Sequence, residues 1–317
     1  MNDESFTHQA RLLTIRRSRR SVLGALAGGA LVFGAGRQPD ATAQTFGYAH
    51  ANWLVDANWL LDRAGDPGLR VVTFASAEEF VTGHIPGALR LDGPALALGD
   101  TSGAAIARWR GEMERLFAER GIGAGNTVVA CDAGTLFATR PWWVLRVLGH
   151  DHVRVLDGGL AAWQAVGGPI AAGPAAGADS AIEPAVPLDA FRADMLAPLG
   201  EVRDVLGDPR VVIVDTRTPE EYADGHIPGA VNVSYPLNAV AAPPKTWKPA
   251  AELRAIYEAA GVTSDKRIIP YCNTGVRSSV TDFTLRLLGY EDVALYSGSW
   301  NEWNAHPELP VATGPRP

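Results

Sequence analysis

GHIPGA fills residues 83–88 and returns at residues 225–230, an offset of 142. The rest of the chain keeps almost the same spacing. Glu78-Glu79-Phe80 meets Glu220-Glu221-Tyr222 at 142, Cys131 meets Cys272 at 141, and both Leu148-Gly149-His150 with Leu288-Gly289-Tyr290 and Trp163 with Trp303 follow at 140. A near-constant period of this length marks a tandem duplication, with about one extra residue in the first copy on each side of its cysteine. The Ala/Gly/Pro-rich stretch 171–187 reads as a linker, so the expected domains are 44–170 and 188–317.

Within each copy short β-branched runs alternate with helical patterns. In the second copy 211–215, 230–233, 267–271 and 293–296 read as strands, while Pro249 opens a helix over 250–257 and Gly261 ends it. This alternation predicts an α/β protein: two tandem domains, each a mostly parallel sheet covered by helices on both faces. Functional loops in such sheets leave the carboxyl ends of strands. Cys272 stands there, directly after Ile268-Ile269-Pro270-Tyr271.

A length of 317 residues suits two domains, and 47% apolar with 20% charged residues describes a soluble globular protein without a basic face for nucleic acid. Residues 1–43 differ from the rest. Ser18-Arg19-Arg20-Ser21-Val22-Leu23 resembles a twin-arginine export signal, an apolar core too short to span a bilayer comfortably runs over 22–35, and Ala41-Thr42-Ala43 fits the A-x-A cleavage rule. The expectation is a cleaved signal and a periplasmic protein with no stable membrane span; an uncleaved anchor is the competing reading. Six of the 28 basic and three of the 35 acidic residues lie in this segment, which leaves 22 against 32 and a mature net charge near −10. An anionic substrate must then be held by local donors, because the overall field repels it.

The loop Cys272-Asn273-Thr274-Gly275-Val276-Arg277 joins a strand to a helix. In such a turn the loop amides and the positive end of the next helix converge on one spot, which favours an anion. A cysteine thiol with an ordinary pKa of about 8.5 becomes a thiolate more readily there, and a neighbouring cation such as Arg277 adds to the effect. Gly275 permits the turn, and Ser278 or Ser279 is expected to cap the helix. Cysteine phosphatases of the C-x5-R type use a loop one residue longer to wrap phosphate. Only four residues separate Cys272 from Arg277. The tighter ring suits one extra sulfur better than a phosphoryl group.

Asp215-Thr216-Arg217 with Glu220-Glu221-Tyr222, Gly225-His226-Ile227-Pro228-Gly229-Ala230, the Cys272 loop, and Ser297-Gly298-Ser299-Trp300-Asn301-Glu302-Trp303 together resemble the rhodanese family, specifically its tandem-domain sulfurtransferases, over nearly the whole mature chain. The first copy, with Phe137-Ala138-Thr139-Arg140-Pro141-Trp142-Trp143 and Val155-Leu156-Asp157-Gly158-Gly159, is similar to the family's non-catalytic half. The resemblance implies a ping-pong reaction through a persulfide on Cys272, with a small-molecule sulfur donor, cyanide or a thiol as acceptor, and neither metal nor organic cofactor. The expected substrate-binding residues are Asn273, Thr274, Gly275, Val276, Arg277 and Ser278, with Arg217 and Lys245 as weaker candidates for a second anion contact. The loop matches neither C-G-S-G-V-T nor C-R-K-G-V-T, patterns found in mercaptopyruvate and thiosulfate enzymes of the family. Arg277 should favour a compact dianion, so thiosulfate is the expected donor and 3-mercaptopyruvate the alternative. A persulfide carrier with poor turnover is a further alternative, and the protein is expected to be a monomer or a weak dimer.

Several residues have plainer readings. Cys131 aligns with Cys272, but its loop meets no cation before Arg140, and Asp132 disfavours a thiolate beside it. It reads as a non-catalytic thiol, with a second active or resolving cysteine as the alternative. His84 and His226 sit in a turn shared by both halves, which points to structural hydrogen bonds, and Asp215 reads as an anchor for its loop. Trp142, Trp143, Trp163, Trp300 and Trp303 read as core and inter-domain packing residues rather than a substrate cage, with Trp300 able to reach the pocket.

Overall fold

The first half builds a five-stranded parallel sheet from β1 (Leu54–Val55), β2 (Leu69–Phe74), β3 (Leu89–Leu91), β4 (Thr127–Asp132) and β5 (Val153–Leu156), in the order β1-β5-β4-β2-β3. The second half repeats the plan with β6 (Val211–Asp215), β7 (Val231–Asn232) and β8 (Arg267–Tyr271), ordered β7-β6-β8. Parallel bridges from Ile268 to Val293 and from Leu196 to Leu295 extend it on the β8 side. The computed structural model describes residues 46–174 and 190–316, all within one compact unit that spans Gln38–Pro317. The expected export signal at 1–43 and most of the expected linker, 175–187, lie outside the described residues.

The expected strand at 293–296 is present only as bridges, and one residue accounts for the difference. Ile268 donates to the Asp292 carbonyl, Ala294 donates to that of Ile268, and Tyr296 donates to that of Pro270. The donor missing from this parallel ladder is residue 270, a proline with no N–H. The segment still runs beside β8, but its ladder is broken where Pro270 stands.

Helices α1 (Ala57–Leu61), α2 (Ala77–Thr82), α3 (Gly103–Ala118), α4 (Thr139–Val147) and α5 (Gly159–Ala165) cover the first sheet. Their counterparts are α6 (Leu199–Asp204), α7 (Pro219–Asp224), α8 (Ala250–Ala259), α9 (Val276–Leu287) and α10 (Ser299–Asn304). Pro249 is the N-cap of α8, and Gly261 follows it with φ +75°. One hydrophobic core runs through both halves, and each half adds one smaller core of its own, around Phe80 and Trp163 in the first and around Tyr222 and Trp303 in the second. At the centre of the shared core α4 packs on α9. Trp142 meets Phe283 edge to face at 4.8 Å, and the Thr139 and Ser279 hydroxyls lie 2.9 Å apart.

Further hydrogen bonds join the halves. Ala250 donates to the Phe46 carbonyl and His50 to that of Leu287, while Thr101 gives both its amide and its hydroxyl to Glu302. Phe46 and His50 at the front of the first copy and Thr101 in its middle therefore bond to the second.

The shared Ile-Pro-Gly turn behaves alike in both halves. His84 Nδ1 lies 2.8 Å from the Phe80 carbonyl and its ring stacks on Phe80; His226 does the same with Tyr222. Both histidines are buried and bridge to a distant strand-like segment, at Ala171 and Ala312 respectively. Trp142, Trp143, Trp163 and Trp303 are fully buried core residues.

Candidate active site

Cys272 follows the last residue of β8 and is 1% exposed. Gly275, at φ +83°, turns the chain so sharply that α9 begins at the next residue. Its N–H donates to Cys272 Sγ at 3.2 Å, and the Ser278 hydroxyl donates to the same sulfur at 3.7 Å. A side chain at 275 would run into the Ser297 carbonyl and hydroxyl oxygens at 2.9 Å, so the close approach requires glycine as well as the left-handed backbone. Gly275 is the N-cap of α9, with no side-chain cap. The expected capping role of Ser278 and Ser279 is therefore corrected. The helix starts too early for it, and the two hydroxyls turn to Cys272 Sγ and to the Val276 carbonyl instead. Sγ thus sits at the N-terminus of a twelve-residue helix, among donors, where negative charge is favoured.

The loop is braced from the other side. Cys272 N–H donates to the Ser299 hydroxyl at 3.2 Å, and the Cys272 carbonyl accepts from Trp300 at 2.9 Å. Asn273 and Arg277 both turn to Glu221. Asn273 Nδ2 donates to it at 3.0 Å, and Arg277 donates through Nη1 at 2.7 Å and Nη2 at 2.9 Å. Thr274 is exposed at the tip, and Val276 is half-buried.

The sequence singles out Glu221 as the repeat of Glu79 and as part of a family motif, but assigns it no place at the site. Both close a capping box, on Ser76 in α2 and on Thr218 in α7. In the second half the same carboxylate also forks onto Arg277. Those bonds, above all, hold the Glu221 carboxyl down at about 2, and reciprocally raise Arg277, to which the nearby Cys272 sulfur contributes less. Because the folded carboxyl titrates below its unfolded value of about 4.3, the pair stabilises the fold above that pH and the benefit is lost as pH falls toward 2. Glu221→Gln keeps the capping geometry. It should cost about 1 kcal/mol at pH 7, given the partial exposure of the pair, and the gap to wild type should narrow at pH 3 in urea titrations; an equal gap at both pH values would remove the ion pair as its source.

Arg217 is buried at 2% exposure. Its Nε and Nη2 donate to Asp215, Nη2 also reaches the Gly225 carbonyl at 2.6 Å, and its guanidinium lies 4.7 Å from the Trp300 ring centre. Asp215 further accepts from the Arg217 N–H at 2.9 Å and from the Tyr271 hydroxyl at 2.6 Å. The ion pair therefore props the end of β8 from beneath. Lys245 is exposed on the rim of a pocket of about 440 Å³ lined by Thr135, Leu136 and the segment around Tyr235 and Val240.

Cys131 is a free thiol, buried at 0% exposure, and donates to the Asp132 carbonyl at 3.6 Å. Burial first, and then Asp132, push this thiol well above its ordinary value. Asp132 takes the anion's place in that loop. Its carboxylate accepts from the amides of Gly134, Thr135 and Ala138. The cation that the Cys131 loop lacked, Arg140, points away from it, as described below. Among the described residues no group of three His, Cys, Asp or Glu could hold a metal ion, and no helix is long and apolar enough to cross a membrane.

The family model of the rhodanese-like domain matches residues 56–166 and again 199–306. The sulfur carrier protein TtuD of Thermus thermophilus is 34% identical over 297 residues, covering 84% of this chain and 99% of that protein. A thiosulfate sulfurtransferase of Pseudomonas aeruginosa is 33% identical over 268 residues, 81% of this chain and 96% of its own length. A 3-mercaptopyruvate sulfurtransferase of Escherichia coli is 32% identical over 290 residues, with 82% and 97% covered. Among solved structures, an anaerobic ergothioneine biosynthesis enzyme from Chlorobium limicola superposes with a TM-score of 0.73 at 23% identity, over 84% of this chain and 71% of that one, which shows the shared fold.

Proposed function

The chain belongs to the rhodanese family as a tandem-domain sulfurtransferase, and from that premise we propose that it moves a sulfane sulfur from thiosulfate to a thiol or cyanide through a persulfide on Cys272. The observation that carries this reading is the buried Cys272 Sγ at the start of α9, accepting from the Gly275 amide and the Ser278 hydroxyl. The Cys272 thiolate attacks the outer sulfur of thiosulfate. The S–S bond breaks, sulfite leaves with the bonding pair, and the enzyme holds the terminal sulfur as a persulfide anion. Fixed N–H and O–H donors stabilise that anion without moving. An acceptor thiolate or cyanide then attacks the terminal sulfur, takes it away as a persulfide or thiocyanate, and returns the Cys272 thiolate.

Arg277 supports thiosulfate as the donor, since a guanidinium at the loop's end favours a compact dianion. Glu221 holds its fork in place but also offsets part of its charge. Arg277→Thr should raise the thiosulfate KM by about tenfold, the worth of one charge-assisted hydrogen bond, and change the mercaptopyruvate KM less. Steady-state kinetics with both donors test this, and an unchanged ratio of kcat/KM values would remove Arg277 from donor selection.

The likeness to a sulfur carrier protein supports a second reading, in which Cys272 loads sulfur but hands it only to a dedicated acceptor. Single-turnover loading together with slow thiocyanate formation separates that case from an efficient enzyme. Export to the periplasm through residues 1–43 belongs to the same proposal, supported by the paired Arg19-Arg20 and the Ala41-Thr42-Ala43 site. Fractionation of cells producing the full chain, with and without Arg19→Lys and Arg20→Lys, tests it.

A further inference from the structure

Arg140 stands at the start of α4 in the first half and is fully buried. Its side chain crosses to the second half, where Nη1 donates to the Gly275 carbonyl at 3.4 Å and Nη2 to the Ser297 hydroxyl at 3.1 Å. Nη2 also donates to the Leu96 carbonyl at 2.7 Å, the guanidinium lies 4.6 Å from the Trp143 ring centre, and Nε has no partner. Every one of these contacts is a carbonyl, a hydroxyl or a ring. Among the described residues none is a carboxylate, in contrast to the equally buried Arg217. Burying a cation without a counter-charge is costly, so its retention here calls for an anion close by.

The Cys272 loop supplies one. Gly275 gives its N–H to the sulfur and its carbonyl to Arg140, so a single residue separates the two charges. We propose that Arg140, delivered by the first half, is the fixed positive charge behind the Cys272 loop and charge-balances the sulfur anion held there. Burial pulls its guanidinium down only to about 10, with Cys272 the one group opposing that fall, so it stays charged at neutral pH. Other charges face the same loop. Arg277 with Glu221 lies on its outer side, Asp215 with Arg217 lies beneath Tyr271, and Glu302 follows on α10. Arg277 is paired with Glu221 and Arg217 with Asp215, and Glu302 is bonded to Thr101, which leaves Arg140 as the cation among them without a carboxylate partner. On this account the first half completes the electrostatics of the second and is more than a scaffold.

The inference rests on the Cys272 reading, and its test needs no sulfur donor. The rate of iodoacetamide alkylation of Cys272, followed by peptide mass mapping across pH, is compared in wild type, Arg140→Lys and Arg140→Met. Both variants lose the planar fork and its packing. Only the second loses the charge. The half-maximal pH should move up by about one unit or more in R140M, equivalent to about tenfold less reactive thiol below it, and stay within a few tenths of wild type in R140K. A folded R140M with the wild-type profile would overturn the proposal. Where R140M does not fold, R140K decides alone: the wild-type profile upholds the charge role, and an upward move of about a unit with the charge retained overturns it. Failure of the wild-type protein to load sulfur would sink the sulfur-transfer reading while leaving this comparison intact.

Discussion

Cys272→Ser abolishes sulfur transfer from thiosulfate and from 3-mercaptopyruvate alike, with a loss of about 10³-fold or more in thiocyanate formation. Serine fills the same buried space and its oxygen can accept from Gly275 and Ser278, so the loop should keep its shape and the thermal midpoint should move little. What serine lacks is a nucleophile that attacks sulfane sulfur and holds it as a stable anion. Cys131→Ser provides the contrast. Its thiol is buried beside Asp132 and pushed toward the protonated form, so its loss should leave at least about half of the activity, as for a core residue outside the chemistry. Comparable losses in the two serine variants would assign the reaction to both halves.

The second large effect concerns stability. Arg217→Met strands Asp215 in the core with only the Tyr271 hydroxyl and the Arg217 amide as donors, and breaking a buried pair in this way costs about 3–5 kcal/mol. Removing both partners, with Asp215→Leu and Arg217→Met together, should recover a large part of that loss, because no orphaned charge remains. Urea midpoints of the single and double variants measure the difference. The sequence also offers Arg217 as an anion contact for the substrate. A variant that raises the thiosulfate KM while keeping the wild-type midpoint would favour that role over the brace beneath β8.

The duplication made most of this architecture readable. The runs at 211–215 and 267–271 are β-branched, apolar and bounded by turn residues, and they became β6 and β8 with those limits. The run at 230–233 shortened to Val231–Asn232, and 293–296 lost its continuous ladder to Pro270, a residue on the neighbouring strand that no local pattern in 293–296 reveals. The loop residues around Cys272 could be placed because the chemistry follows from a strand, a short turn and a helix start in succession. Two partners of that loop could not. Glu221 reads locally as a helix cap, and nothing in a one-dimensional pattern links it to Arg277, 56 positions away. Arg140 reads as a cation that arrives too late for its own loop, and only the packing of α4 on α9 shows that it serves the other one. Thr139 and Ser279, which meet across the interface, are 140 apart and hold equivalent positions in the repeat, whereas Arg140 and Gly275, 135 apart, hold different ones, so the repeat conceals that contact.

The central claim is that the sulfur in transit rests covalently on residue 272. Purified protein incubated with thiosulfate, digested without reductant and examined by mass spectrometry should show a gain of about 32 Da, one sulfur atom, confined to the peptide that contains Cys272. The gain should vanish after cyanide is added, with thiocyanate appearing in equal amount. An unmodified Cys272 peptide under these conditions, or the added mass on the Cys131 peptide alone, would contradict the account.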